Sequence, residues 1–198
     1  MSLLFKKILV LILVFFAFSL NAKDLKFDKS MAIENGTSVS YRNHAVFAPI
    51  AFSLYAVGFY VNGTETDNMK LKNADKPMAI QLVSLYRWLK MKKLMSELRR
   101  GFSYGMDHDK EFLKTIQTRI DTFIDLLIGN GNRYLGKYKR VTFFYQPGKG
   151  THISYDGEII GVVPGHDFKK ALFGIWLNNN CANDQLRKKM IKLKKKKK

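Results

Sequence analysis

The side chains able to do chemistry are few and scattered along the chain. His44, His108, His152 and His166 stand far apart, and none lies four residues from another or beside a cysteine, so the spacings of a metal site are missing. Cys181 is the one cysteine and has no paired histidine; no nucleophile elbow is read either, so covalent catalysis has no support. Asp107-His108-Asp109 reads as a loop and cap ahead of a helix, with Asp109 favouring the positive end of the helix dipole. Gly129-Asn130-Gly131 with Gly136 follows a helical pattern, whereas a phosphate loop follows a strand, so it reads as a helix exit. Asn35-Gly36-Thr37 and Asn62-Gly63-Thr64 match the glycosylation acceptor and read more simply as turns. Tyr86, Arg87 and Trp88 with Lys90, Lys92 and Lys93 have the residue types of a nucleic-acid surface. An amphipathic helix with its lysines in water accounts for them more simply. No cofactor, no metal and no nucleic-acid partner is expected.

The elements that must position any site are an alternation of strands and helices of distinct period. Leu25, Phe27, Met31 and Ile33 suggest an early strand; Phe52 to Val61 and Met78 to Leu85 are aromatic and β-branched enough for central strands. Leu89, Met91, Leu94, Met95, Leu98 and Phe102 then recur at helical spacing up to Gly105, and a second helix is expected from Lys110 to Ile128, closed by Gly129. Val141 to Tyr145, His152 to Tyr155 and Ile159 to Val163 form a meander, after which Asp167 caps a helix carrying Phe168, Leu172, Phe173 and Trp176. Strands, two helices, strands, helix is the order of an α+β domain with an antiparallel sheet.

The first 22 residues read as a secretory signal, with Lys6 and Lys7 ahead of the uncharged run Ile8 to Phe18 and a small-residue cleavage site ending at Ala22. The run is short for a span, which needs roughly 20 apolar residues, and the alternative to cleavage is an N-terminal anchor. A periplasmic or secreted domain from 23 to 186 is expected, held by packing since one cysteine allows no internal disulfide. The formal charge is +18; the leader takes two of these and the stretch from Arg187 to Lys198 takes nine, leaving about +7 on the body. That last stretch, 187 to 198, reads as a solvated basic tail, with an anionic membrane surface as its functional partner if it has one.

Tyr145-Gln146-Pro147-Gly148-Lys149-Gly150-Thr151, Pro164-Gly165-His166-Asp167-Phe168 and Ile175-Trp176-Leu177 resemble, at matching spacing, the tyrosine, PGKGT, PGxDF and IWL series of the bacterial chalcone isomerase-like family. Leu54 to Val61, Arg100-Gly101-Phe102 and Arg119-Ile120-Asp121-x-Phe123 add to the likeness. The resemblance implies an antiparallel β-sheet backed by a layer of α-helices, with a ligand cleft between them.

It also implies where chemistry would sit. The plant enzymes of the superfamily use an arginine, a threonine, and a tyrosine, lysine and asparagine set. By spacing, the threonine falls on Tyr55 and the other three on Leu94, Glu97 and Gly101, none retained. A glutamate where a lysine should stabilise an oxyanion reverses the local charge, so flavanone-type cyclisation is not expected. Non-enzymatic, fatty-acid-binding relatives keep the arginine, for which Arg42 is the nearest candidate, on a segment that otherwise reads as a loop. The resulting expectation is a binder of a hydrophobic small molecule such as a fatty acid. Arg42, Tyr55 and Tyr60 are its polar candidates, and Phe52, Leu94 and Leu98 its walls. The rivals are an isomerase acting on an unknown substrate and adhesion through the lysine-rich tail.

Overall fold

A computed structural model describes residues 25–33, 36–48, 54–129, 133–181 and 183–193. The first 24 residues, with the expected signal, and Phe52 and the last five lysines lie outside these. Seven antiparallel strands form one sheet in the order β1 (Ser30–Ala32), β2 (Ser38–Phe47), β3 (Tyr55–Val61), β4 (Met78–Ser84), β7 (Arg140–Gln146), β8 (Gly150–Tyr155), β9 (Glu158–Val163). The register carries one row of side chains across the sheet: Phe59 opposes Ile80, Ile80 opposes Phe143, and Phe143 opposes Ile153, all buried on the helix side. The neighbouring row, Tyr60, Ala79 and Phe144, points the other way and is covered by Phe27, Met31, Ile33 and Tyr41. Every residue of β3 and β4 is therefore buried, as their unbroken apolar sequence requires.

The helices are α1 (Asn68–Asn73), α2 (Met91–Gly105), α3 (Lys110–Thr115), α4 (Gln117–Ile128), α5 (His166–Leu177) and α6 (Asp184–Ile191). A two-stranded ribbon, β5 (Leu89–Lys90) with β6 (Tyr134–Leu135), stands apart from the sheet. Met91, Leu94, Met95, Leu98 and Phe102 form the buried stripe of α2, and Phe102, Phe123 and Phe168 meet ring to ring at the centre of the helix layer. Where α2 crosses α5, Gly105 lets the backbones touch: a Cβ there would sit 2.8 Å from the Gly174 carbonyl carbon. Among the described residues no helix is long and apolar enough to cross a membrane.

Several boundaries differ from those expected. The segment from Ser38 is a full strand rather than a loop; a bulge between Tyr41 and Asn43 breaks its period of two and hides it from the sequence. Of the early strand only Ser30–Ala32 pairs. The single helix from Lys110 to Ile128 is two, because the Thr115 hydroxyl takes the Phe112 carbonyl that Ile116 N–H would use, and Ile116 turns inward to bury. Helix α5 starts after Gly165, and Asp167 instead grips Arg119 through two 2.6 Å hydrogen bonds. The basic stretch from Arg187 is not all solvated tail: Asp184–Ile191 is helical, with Asn183 as its cap and Leu186 and Met190 buried, so the packed domain continues to Ile191.

Candidate ligand cleft

Phe47 at the end of β2 opposes Tyr55 at the start of β3, and their rings stack at 5.0 Å. Helix spacing brings Glu97, Leu98, Gly101 and Tyr104 of α2 to the same place, since residues three and four apart share a face. Ile175 and Trp176 of α5, Asn180, Cys181 and Asn183 ahead of α6, and Leu186 of α6 close the other side. Together they bound a cleft of about 510 Å³, within the range of roughly 300 to 1,000 Å³ that small organic ligands occupy. Gly101 is needed for this packing, because a Cβ there would lie 2.7 Å from Ile175 Cγ2.

The polar groups of the cleft are few and mostly engaged. Tyr55 is 6% exposed; burial raises its phenol pKa, outweighing the opposite pull of the neighbouring Trp176 side chain, so it stays a neutral hydroxyl. Asn180 donates to Asp107 Oδ1 at 2.7 Å, and Asn183 accepts the Leu186 N–H at 2.9 Å. Burial pushes the Cys181 thiol up, away from the thiolate a nucleophile needs. At the rim Arg100 pairs with Glu97, and both are open to water. Among the described residues no three histidine, cysteine or acidic side chains gather as a metal would require. The arrangement is a mostly apolar slot with one buried hydroxyl inside and one cation at its mouth.

The expected site residues separate in space. Tyr55 and Leu98 line the cleft, and Leu94 lies buried one turn earlier on α2 without lining it. Arg42 is 5% exposed and binds backbone: its guanidinium donates to the carbonyls of Gly63 and Glu65, each at 2.6 Å, and of Ile191 at 3.4 Å. Tyr60 sits on the opposite face of the sheet, edge-on to Tyr41, with its hydroxyl 3.5 Å from Gln81. Of the positions onto which the plant catalytic set falls by spacing, Tyr55, Glu97 and Gly101 all border the cleft.

Some lining residues were legible and unused. Arg100 and Trp176 belong to the family-like segments, and Tyr104 follows Gly101 on the same helical face. Phe47 carries no signal without β2. Gly101-Phe102-Ser103-Tyr104-Gly105 does match the letters of a nucleophile elbow, contrary to the sequence reading. It lies within helix α2 and not at a strand-to-helix turn. Ser103 Oγ is 2.8 Å from His108 Nδ1, a contact that fastens the helix exit.

A curled antiparallel sheet roofed by helices, with a cleft at their junction, defines a chalcone isomerase-type α+β domain. The model of the family described as chalcone isomerase-like matches residues 19–192, and the chain belongs to that family. A similar solved structure is the crystal structure of a fatty-acid-binding protein of Arabidopsis thaliana. It is 13% identical with a TM-score of 0.59, covering 82% of this chain and 95% of that one, a likeness of fold. No curated protein matches the chain.

Proposed function

We propose that this protein is exported and reversibly binds a hydrophobic small molecule, a fatty acid, in the cleft between α2, α5 and the β2–β3 end of the sheet. The observation that carries this reading is the cleft's lining where the superfamily's catalytic donors would stand. Gly101 and Glu97 replace donors there, while Leu98, Ile175 and Leu186 supply apolar wall. Tyr55 offers one hydroxyl to the ligand, and Arg100 at the mouth exchanges Glu97 for the carboxylate. The solved neighbour's title, a fatty-acid-binding protein, supports the choice of ligand class. The leader-like first 22 residues support export, with the periplasm as destination. An isomerase would need an oxyanion-stabilising donor set, whereas Asn180 is spent on Asp107 and Asn183 on the Leu186 N–H, leaving only the Tyr55 hydroxyl and the rim Arg100.

Titration of delipidated protein with a long-chain fatty acid tests the proposal. Saturable one-to-one binding is expected; a folded protein that takes up none would overturn it.

A further inference from the structure

The ribbon β5–β6 and the turns that flank it gather exposed aromatic and basic side chains into one surface. Leu89 opposes Leu135 and both are buried, so the next pair, Lys90 and Tyr134, faces outward, and Trp88 meets Tyr134 edge to face at 6.3 Å. Tyr138 N–H donates to the Ser84 carbonyl and the Ser84 hydroxyl to the Tyr86 carbonyl, which brings both tyrosines to the same end. Tyr86, Trp88, Tyr134 and Tyr138 are between 38% and 63% exposed, a cluster of large rings left at the surface. Residues 86–93 and 133–140 hold eight lysines and arginines and no acidic residue; Lys139 pairs with Asp156, and Arg133 and Arg140 donate to backbone carbonyls, which leaves Arg87, Lys90, Lys92, Lys93 and Lys137. Lys137 lies over the Tyr138 ring at 4.9 Å, and Lys90, Lys92 and Lys93 are exposed beside Trp88.

We propose that this surface docks the protein onto an anionic lipid bilayer. Tryptophan and tyrosine suit the headgroup layer because each has an apolar body and a polar edge, and surrounding lysines are drawn by the negative surface potential. The rings meet edge to face, which is unlike the parallel platform that unpaired bases stack on. Helix α2 begins at Met91, directly after the patch, and carries Leu98 and Gly101 to the cleft about two turns on. The docking surface goes beyond the binding role and stands without it, since no cleft residue belongs to the patch.

Acrylamide quenching of the purified protein tests the proposal, because Trp176 is 4% exposed and Trp88 supplies the quenchable emission. Vesicles of mixed phosphatidylglycerol and phosphatidylcholine are expected to shift Trp88 to shorter wavelength and lower its quenching about threefold, and pure phosphatidylcholine to do neither. Combining Lys90→Glu, Lys93→Glu and Lys137→Glu should weaken the effect by roughly a hundredfold with an unchanged thermal melt. A second variant, Tyr134→Ser with Tyr138→Ser, should weaken it severalfold with Trp88 still reporting. Trp88 equally quenchable with and without anionic vesicles would overturn the proposal. So would shielding that survives the charge reversal, or shielding by duplex DNA where vesicles give none.

Discussion

The guanidinium of Arg42 spends its donors on the Gly63, Glu65 and Ile191 carbonyls, fastening the β3–α1 connection to the end of α6. Arg42→Ala should therefore cost about 3 kcal/mol in urea unfolding, since the hydrogen bonds of a buried, charged donor group to partly buried carbonyls are lost. Fatty-acid affinity should stay within about twofold of wild type, because the residue is not in the cleft. A large loss of affinity at unchanged stability would return Arg42 to the ligand site. Lys169 is a second buried cation. Its Nζ donates to the Leu71, Lys72 and Ala74 carbonyls at 3.1, 2.8 and 2.7 Å, closing the end of α1 between the Tyr145 and Phe173 rings. Burial pushes its pKa down to about 7, against 10.5 for an ordinary lysine, while Asp75 pulls the other way. Between these values the unfolded chain holds the proton more firmly. The contribution of Lys169 to stability should be lowest and flat below about pH 7, then rise toward pH 10 by at most about 1.4 kcal/mol per unit. Urea unfolding of Lys169→Met should lack that rise; an identical pH profile would show that Lys169 does not cause it.

At the level of elements, the closest approach of α2 to α5 is set by glycines. A Cβ on Gly105 would meet the Ala171 carbonyl oxygen at 2.9 Å and one on Gly174 the Gly105 carbonyl oxygen at 2.5 Å, backbone atoms that cannot rotate away. Gly105→Ala should destabilise by about 2 to 3 kcal/mol despite alanine's better helix propensity, and thermal unfolding will report it. An unchanged or raised melting temperature would mean that the helices can separate at no cost. These elements also show what a sequence discloses. Strands β3 and β4 announce themselves as unbroken apolar runs, β7 to β9 through the turns between them, and the stripe of α2 through its helical period. Strand β2 does not, since its bulge at Arg42 switches faces midway. Helix α6 is masked by its lysines, although Leu186 and Met190, four apart, already mark an inward face. The cleft was half legible for the same reason: Tyr55 and Leu98 lie on elements with clear periods, Phe47 on one without.

Over the whole molecule most charge stays at the surface, while Arg42, Lys72 and Lys169 are buried and hydrogen-bonded. Strands β3 and β4 are sealed on both faces, the helix layer is filled by aromatic rings, and the described cleft opens where the β2–β3 end, α2, α5 and α6 meet. The positive excess sits outside this body, on the β5–β6 end and the basic C-terminal stretch. The account of a greasy slot holding a fatty-acid chain is tested most directly by plugging the slot from a loop, where no helix packing is disturbed. Cys181→Trp places a ring in the cleft wall and leaves the sheet and helices untouched. Isothermal titration with palmitate should give one site in the wild type and at least about tenfold weaker binding in a variant with the same far-ultraviolet spectrum. Palmitate bound equally well by both proteins, or by neither, would contradict the account.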